Sequence, residues 1–178
     1  MTAYIDSLKL LDKVSMKELY RYPVYINPGI GNVHTHHYGI WALLEEYVAY
    51  MYEYNADVDL YSTLDSAHYT SSFNSYFQHC AGSRSGVKEM KLYIYLMLEV
   101  YRQKSIPLSA KEVDIIEQIL KYVDDRVNVL DQRINNYRDS YCQRQQVTLP
   151  HIASLLNNPV IEALLLDIES KKRGCKSN

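Results

Sequence analysis

Apolar side chains recur at helical spacing along most of the chain. In the first half the clearest pattern begins at Ile40, with apolar positions at i, i+3, i+4, i+7, i+8, i+11 and i+14. At about 100° per residue these positions form one stripe, which predicts an amphipathic helix. The stripe consists of Ile40, Leu43, Leu44, Tyr47, Val48, Met51 and Tyr54. The opposite side is predicted to carry Ala42, Glu45, Ala49, Tyr52 and Glu53.

The longest periodic pattern lies in the second half of the chain. The segment Ser109-Ala-Lys-Glu112 matches a capping box, so a helix is predicted from Ser109 to about Arg144. Apolar residues then alternate spacings of three and four, which is a heptad seam that fills the bundle or pairs with a second copy of the chain. The seam consists of Val113, Ile116, Leu120, Val123, Val127, Leu130, Ile134, Tyr137 and Tyr141. Its polar end, Asn135 to Arg144, could project from the domain.

The apolar pattern of the other segments is also helical, and no strand is predicted. We predict an all-α protein, with residues 1–178 forming a single compact bundle of six or seven helices and one long helix in the C-terminal half. A loop is expected over Tyr22–Gly31 and another over Gly82–Gly86. The other predicted helices are Ile5–Arg21, one capped by Asp57 and carrying Tyr61, Leu64 and His68, a short one near Phe73 and Phe77, a buried one over Val87–Gln103, one starting after Thr148, and one from Pro159 to Gly174.

Composition narrows the class of protein further. Glycine and proline are scarce, at six and five of 178 residues, and the net charge of −2 argues against nucleic acid or an anionic membrane as the main partner. Three cysteines at wide spacing, Cys80, Cys142 and Cys175, predict reduced thiols and a cytoplasmic location. No run approaches 18 apolar residues, so no membrane span is predicted.

One cluster could hold a metal ion. His34, His36 and His37 place three imidazoles within four residues, and Glu45, Glu46, His68 or His79 could complete a coordination shell. This pattern indicates a helical metalloprotein or hydrolase as the alternative function. The histidines lie in a predicted loop, however, and no carboxylate follows at the spacing of a helical metal motif, which favours a solvated loop. No nucleotide-binding or nucleophile motif occurs, so no cofactor and no catalytic residue are assigned.

Charge and aromatic residues are distributed unevenly. From Tyr22 to Ser83 there is no lysine or arginine, while the stretch holds six acidic residues, ten of the 18 tyrosines and five of the six histidines. Tyrosine outnumbers phenylalanine 18 to two. Because a buried hydroxyl needs a partner, many of these rings are expected to be half-exposed. Their alternative role is to line the rim of the core.

Exposed tyrosine among acidic residues is typical of a surface that binds a basic protein. We therefore predict a non-catalytic protein-binding protein, of the inhibitor or immunity type, that masks a basic partner such as a nuclease toxin. The predicted contact residues are Glu45, Glu46, Tyr52, Glu53, Asp57 and Asp59.

Overall fold

The computed structural model describes Leu19 and residues 21–25, 38–61, 63, 73–155 and 159–174. Within these ranges the chain forms helices and no strand, which confirms the all-α class. A one-turn helix, α1 (Tyr22–Tyr25), precedes four long ones: α2 (Ile40–Asp59), α3 (Phe73–Gln103), α4 (Ala110–Gln145) and α5 (Pro159–Gly174). The predicted six or seven helices are not confirmed, because the described ranges contain these four long helices.

The capping box defines the start of α4 as predicted. The Ser109 side chain accepts a hydrogen bond from the Glu112 backbone N–H, and the Glu112 carboxylate accepts one from the Ser109 backbone N–H at 2.7 Å. The helix ends where Gln146 takes a left-handed conformation with φ of 54°. These caps satisfy backbone groups that a helix end leaves unpaired.

Most of the heptad seam of α4 packs inside the bundle, whereas Val113 at its start is exposed. Five of its members are buried: Ile116, Leu120, Val123, Leu130 and Ile134. The distal end does not project, because the Tyr137 ring stacks on Tyr61 with centroids 4.1 Å apart and the Tyr141 ring stacks on Phe73 at 4.3 Å. The bundle therefore covers most of this seam.

The prediction of a loop over Gly82–Gly86 is wrong, since α3 continues through it. Tertiary packing outweighs the helix penalty of about 1 kcal/mol for each glycine. Gly86 fits this packing because it has no side chain: a Cβ there would lie 2.6 Å from Tyr50 Cδ1 and 2.8 Å from Arg21 Nη2. The Arg21 segment and α2 therefore approach the α3 backbone closely at this point.

Two positions in α2 differ from the prediction. Asp57 does not cap a new helix; it lies inside the last turn of α2, 7% exposed, and accepts a hydrogen bond from Ser83 Oγ at 2.5 Å. Ala42, expected on the polar side, is buried. The apolar stripe itself is confirmed, with Val48 half-buried and the other six members buried.

The buried residues form two clusters along the bundle. The larger one joins Leu19, the first half of α2, the second half of α3, the first half of α4 and Ile161 of α5. The smaller, more aromatic one joins the end of α2, the start of α3, the second half of α4 and Ile152. Contacts between α2 and α4 rise together in residue number, so these two helices run parallel, and α3 runs antiparallel to both.

The C-terminal segment is partly as predicted. The helix expected after Thr148 is a 3-10 turn, Ile152–Ser154. The final helix begins at Pro159 as expected. Ile161 is buried there, and Leu164, Leu165 and Ile168 pack against the larger cluster.

Candidate functional site

An exposed surface runs along the seam between the parallel helices α2 and α4. Its centre is a pair of tyrosines, Tyr52 of α2 at 58% exposure and Tyr122 of α4 at 53%. The Tyr122 hydroxyl is close enough to raise the pKa of Tyr52. We define the α2–α4 face by its exposed members: Glu45, Ala49, Tyr52, Ala56, Ile115, Tyr122 and Val129.

Helical periodicity places these side chains in two rows. On α4, Ile115, Tyr122 and Val129 are seven residues apart, so they lie two turns from one another on the same side over about 21 Å. On α2, Ala49 and Ala56 lie one turn before and one turn after Tyr52. The small alanine side chains leave the Tyr52 ring standing above its helix.

Two polar layers fix the register of the helices beneath this face. In the first layer, Asp124 of α4 accepts hydrogen bonds from the Tyr47 hydroxyl at 2.9 Å and from Lys91 Nζ at 2.7 Å. The Asp124 carboxylate thus joins α2, α3 and α4.

The second layer repeats the first one heptad along. Asp131 accepts from the Tyr54 hydroxyl at 2.8 Å and from Arg84 Nε at 2.7 Å. The two residues that each helix contributes, one to each layer, are seven positions apart in sequence. Because α3 is antiparallel to α2 and α4, its residue in the second layer, Arg84, precedes its residue in the first layer, Lys91. Burial, followed by the neighbouring aspartate, raises the pKa of both Tyr47 and Tyr54.

Two further contacts join α2 to α4 at the edge of the face. Arg126 Nε donates to Asn55 Oδ1 at 3.1 Å, and Arg133 Nη2 lies 2.6 Å from Asp59 Oδ1. These side chains extend the sequence of contacts that starts at Tyr52 and Tyr122. The face therefore stands on a fixed helix pair rather than on a loop.

The six predicted contact residues have different environments. Glu45, Tyr52 and Glu53 are exposed, as the helical pattern indicates. Glu46 accepts a hydrogen bond from the Tyr25 hydroxyl at 3.0 Å, and Asp59 is paired with Arg133. Asp57 is buried, so its carboxylate is not presented on the surface.

Asp57 is part of a small polar cluster with Ser83 and His79. Its second oxygen lies 3.2 Å from His79 Nε2, so one carboxylate contacts both the serine and the histidine. In a Ser-His-Asp nucleophile the histidine lies between the other two groups and takes the serine proton. This order differs, and the cluster has the connectivity of a structural contact between α2 and α3.

The predicted metal cluster cannot be placed. His34, His36 and His37 lie outside the described residues. Within the described part of the chain, no three histidine, cysteine, aspartate or glutamate side chains are grouped so that they could hold a metal ion.

Sequence reasoning missed much of what surrounds the face. Tyr122 was not singled out, and neither were Asp124 and Asp131. Many tyrosines were expected at the surface, yet the rings of Tyr47 and Tyr54 are fully buried, with hydroxyls bonded to carboxylates. A detectable signal was the shared seven-residue spacing of Tyr47 and Tyr54 in α2, Arg84 and Lys91 in α3, and Asp124 and Asp131 in α4.

None of the described helices is long and apolar enough to cross a membrane. Comparisons with known proteins found no match to the chain among protein-family models, curated proteins or solved structures.

Proposed function

We propose that the chain is a non-catalytic protein-binding protein whose α2–α4 face covers a basic surface of its partner. The observation that carries this proposal is the exposed, neighbouring pair Tyr52 and Tyr122 on two helices that are fixed in register. Tyrosine is enriched among residues that dominate binding energy, because a large amphipathic ring is ordered at small entropic cost.

Rigidity of the support favours this role. Tyr52 and Tyr122 are attached to helices joined by the Tyr47–Asp124 and Tyr54–Asp131 bonds. A surface that is ordered before binding loses less conformational entropy on association. The partner can therefore bind this surface without first ordering the two helices that carry it.

Charge supports a basic partner. Helix α2 contains no lysine or arginine, and Glu45 and Glu53 are exposed on it. Carboxylates at the rim of an interface attract a positively charged partner and accelerate association. Asp57 is left out of the proposed contact set because it is buried, and Glu46 and Asp59 contribute less because they already bond within the chain.

The same features favour an inhibitor or immunity-type role. A protein that neutralises a basic enzyme, such as a nuclease toxin, needs complementary surface and no catalytic group of its own. A basic enzyme of this kind is the partner that the acidic, tyrosine-bearing surface would suit.

The experiment is a calorimetric comparison with a partner isolated from the native cell. Tyr52→Ala should weaken binding by about 2 kcal/mol or more, as truncation of an aromatic hot spot does. The matched control is Tyr38→Ala, which removes an equally exposed tyrosine (59%) just before α2 and should leave affinity unchanged. Equal affinity of wild type and Tyr52→Ala would contradict the proposal.

The charge component is tested separately. Replacing Glu45 and Glu53 together by lysine should lower the association rate and flatten its dependence on salt concentration, because electrostatic steering is lost. The double variant should melt at the same temperature as the wild type, since the side chains of Glu45 and Glu53 are exposed. Association kinetics that stay the same at low and at physiological salt would argue against a basic partner.

A further inference from the structure

A short segment that precedes the long helices lies across α2 and α3 and is held there by polar contacts. This strap consists of Arg21 and helix α1. The Arg21 backbone N–H donates to Glu89 Oε1 at 2.6 Å, and Arg21 Nη1 lies 3.4 Å from Glu89 Oε2. The Tyr25 hydroxyl donates to Glu46 Oε2 at 3.0 Å and lies 3.4 Å from the Tyr50 hydroxyl. Helices α2 and α3 therefore bind an arginine and a tyrosine that are four residues apart.

The contacts around Arg21 define a site for a guanidinium group. The guanidinium carbon lies 4.5 Å from the centre of the Tyr50 ring, and its partner Glu89 is 1% exposed. The Tyr93 hydroxyl donates a hydrogen bond to Glu89, which orients this carboxylate. Gly86 leaves the necessary room, since a Cβ there would lie 2.8 Å from Arg21 Nη2. An aromatic face beside a carboxylate suits a planar guanidinium better than the compact, strongly hydrated ammonium of lysine.

The strap can leave this site without removing a long helix from the bundle. All the residues that contact it here lie on α2 and α3, which also pack on each other through the larger cluster and through the hydrogen bond from Ser83 to Asp57. When the strap lifts, water reaches Glu89 and solvates its charge. Opening of the strap should therefore cost less free energy than unfolding of the whole chain.

We propose that this α2–α3 surface is a binding site for peptide segments that carry an arginine and a tyrosine four residues apart, and that the strap occupies it in cis as an autoinhibitory contact. A tethered segment competes at an effective concentration that is roughly millimolar. An external segment therefore gains access when the strap is weakened or displaced. None of the residues that bind the strap belongs to the α2–α4 face, so the proposed function is not a premise of this site.

The test uses a fluorescent peptide with the sequence of residues 19–25, blocked at both ends, and the full-length chain carrying Arg21→Met. This substitution weakens the strap and keeps every residue of the site. Anisotropy should show that the peptide binds Arg21→Met about 10-fold or more tightly than it binds the wild type, whose strap competes in cis. A peptide with methionine in place of arginine should bind Arg21→Met about 10-fold more weakly, and one with lysine about 2- to 5-fold more weakly.

Two further hosts identify the site on the chain. Adding Glu89→Gln to Arg21→Met should abolish the preference for the arginine peptide, because the carboxylate that pairs with the guanidinium is removed. Adding Gly86→Ala should weaken binding of that peptide, because the new Cβ fills the space beside the guanidinium. The matched control, Gly82→Ala, should leave binding unchanged, since no atom lies within 4 Å of its added Cβ.

Equal affinity of Arg21→Met for the arginine and methionine peptides would overturn the proposal, as would binding to the wild type that is as tight as binding to Arg21→Met. Circular dichroism shows whether Arg21→Met is folded. Tyr25→Ala, which weakens the strap at its other end, is the second host for the same measurements. If neither variant folds, the strap is an inseparable part of the bundle and the proposal is wrong.

Discussion

At the scale of single residues, tyrosine has two distinct uses in this chain. Tyr47 and Tyr54 are buried with their hydroxyls on aspartates, whereas Tyr52, between them in sequence, points outward. Composition cannot separate these uses, because a count of tyrosines does not say which hydroxyls find partners. Helical spacing does separate them, since Tyr47 and Tyr54 lie in the apolar stripe and Tyr52 lies opposite it.

The two glycines of α3 allow a matched test of close packing. Gly86→Ala should destabilise the fold by about 1–3 kcal/mol, because the new Cβ would overlap Tyr50 and Arg21. Gly82→Ala should stabilise it by up to about 1 kcal/mol, because no atom lies within 4 Å of the added Cβ and alanine favours the helix. Urea denaturation of both variants gives the comparison.

Similar shifts in stability for Gly86→Ala and Gly82→Ala would mean that Arg21 and Tyr50 do not press against α3 at Gly86.

At the scale of secondary-structure elements, the sequence predicted the helices that have a single apolar face. The stripe of α2 and the capped seam of α4 were found from periodicity and capping alone. The continuity of α3 was not, because local glycine penalties suggest a break and only packing against α2 and Arg21 reverses that preference. Asp57 was misplaced for a related reason: aspartate favours helix N-caps, but here Ser83 and His79 hold it inside a helix.

The two polar layers should differ in their energetic contribution. Asp131 of the Arg84 layer has a side chain 15% exposed, whereas that of Asp124 in the Lys91 layer is 41% exposed. Arg84→Met should therefore cost about 3 kcal/mol or more, because it leaves a mostly buried carboxylate without its cation. Lys91→Met should cost about 1 kcal/mol or less, because water solvates Asp124.

Equilibrium unfolding of Arg84→Met and Lys91→Met measures this difference. The double variants Arg84→Met with Asp131→Asn and Lys91→Met with Asp124→Asn should recover part of each loss, since the unpaired charge is then removed. Equal losses in the two single variants would show that both layers are solvated alike.

At the scale of the whole molecule, the candidate site could be predicted in part. Sequence placed Glu45, Tyr52 and Glu53 on the exposed side of one helix, as they are found. It could not supply Tyr122, because nothing local to α4 indicates that this residue meets Tyr52 across 70 positions of chain. A surface made by two helices depends on their register, and that register is set by hydrogen bonds such as Tyr47–Asp124.

The buried hydroxyls and thiol together predict a limit to stability at high pH. Burial raises the pKa of Tyr47, Tyr54 and Tyr76, and it raises the pKa of Cys80 to about 12. For groups whose pKa is higher in the folded state, the unfolded chain releases its protons first as pH rises. Their contribution to stability is therefore complete below about pH 8.5 for the thiol and about pH 10 for the phenols, and is lost above those values.

Four such groups give a steep transition. Each contributes up to about 1.4 kcal/mol per pH unit once it is ionised in the unfolded state, so the free energy of unfolding should fall by about 5 kcal/mol per unit above pH 10. A domain of ordinary stability would then unfold near pH 11 to 12.

Circular dichroism should lose its helical signal as tyrosinate absorbance at about 295 nm rises for these rings. Tyr54→Phe removes one titrating group and should reduce the slope by about 1.4 kcal/mol per unit, whatever its effect at neutral pH. A chain that is still folded at pH 12, with every tyrosine titrated near its ordinary pKa, would contradict this prediction. The hydroxyls of Tyr47 and Tyr54 would then be accessible to water in the folded state.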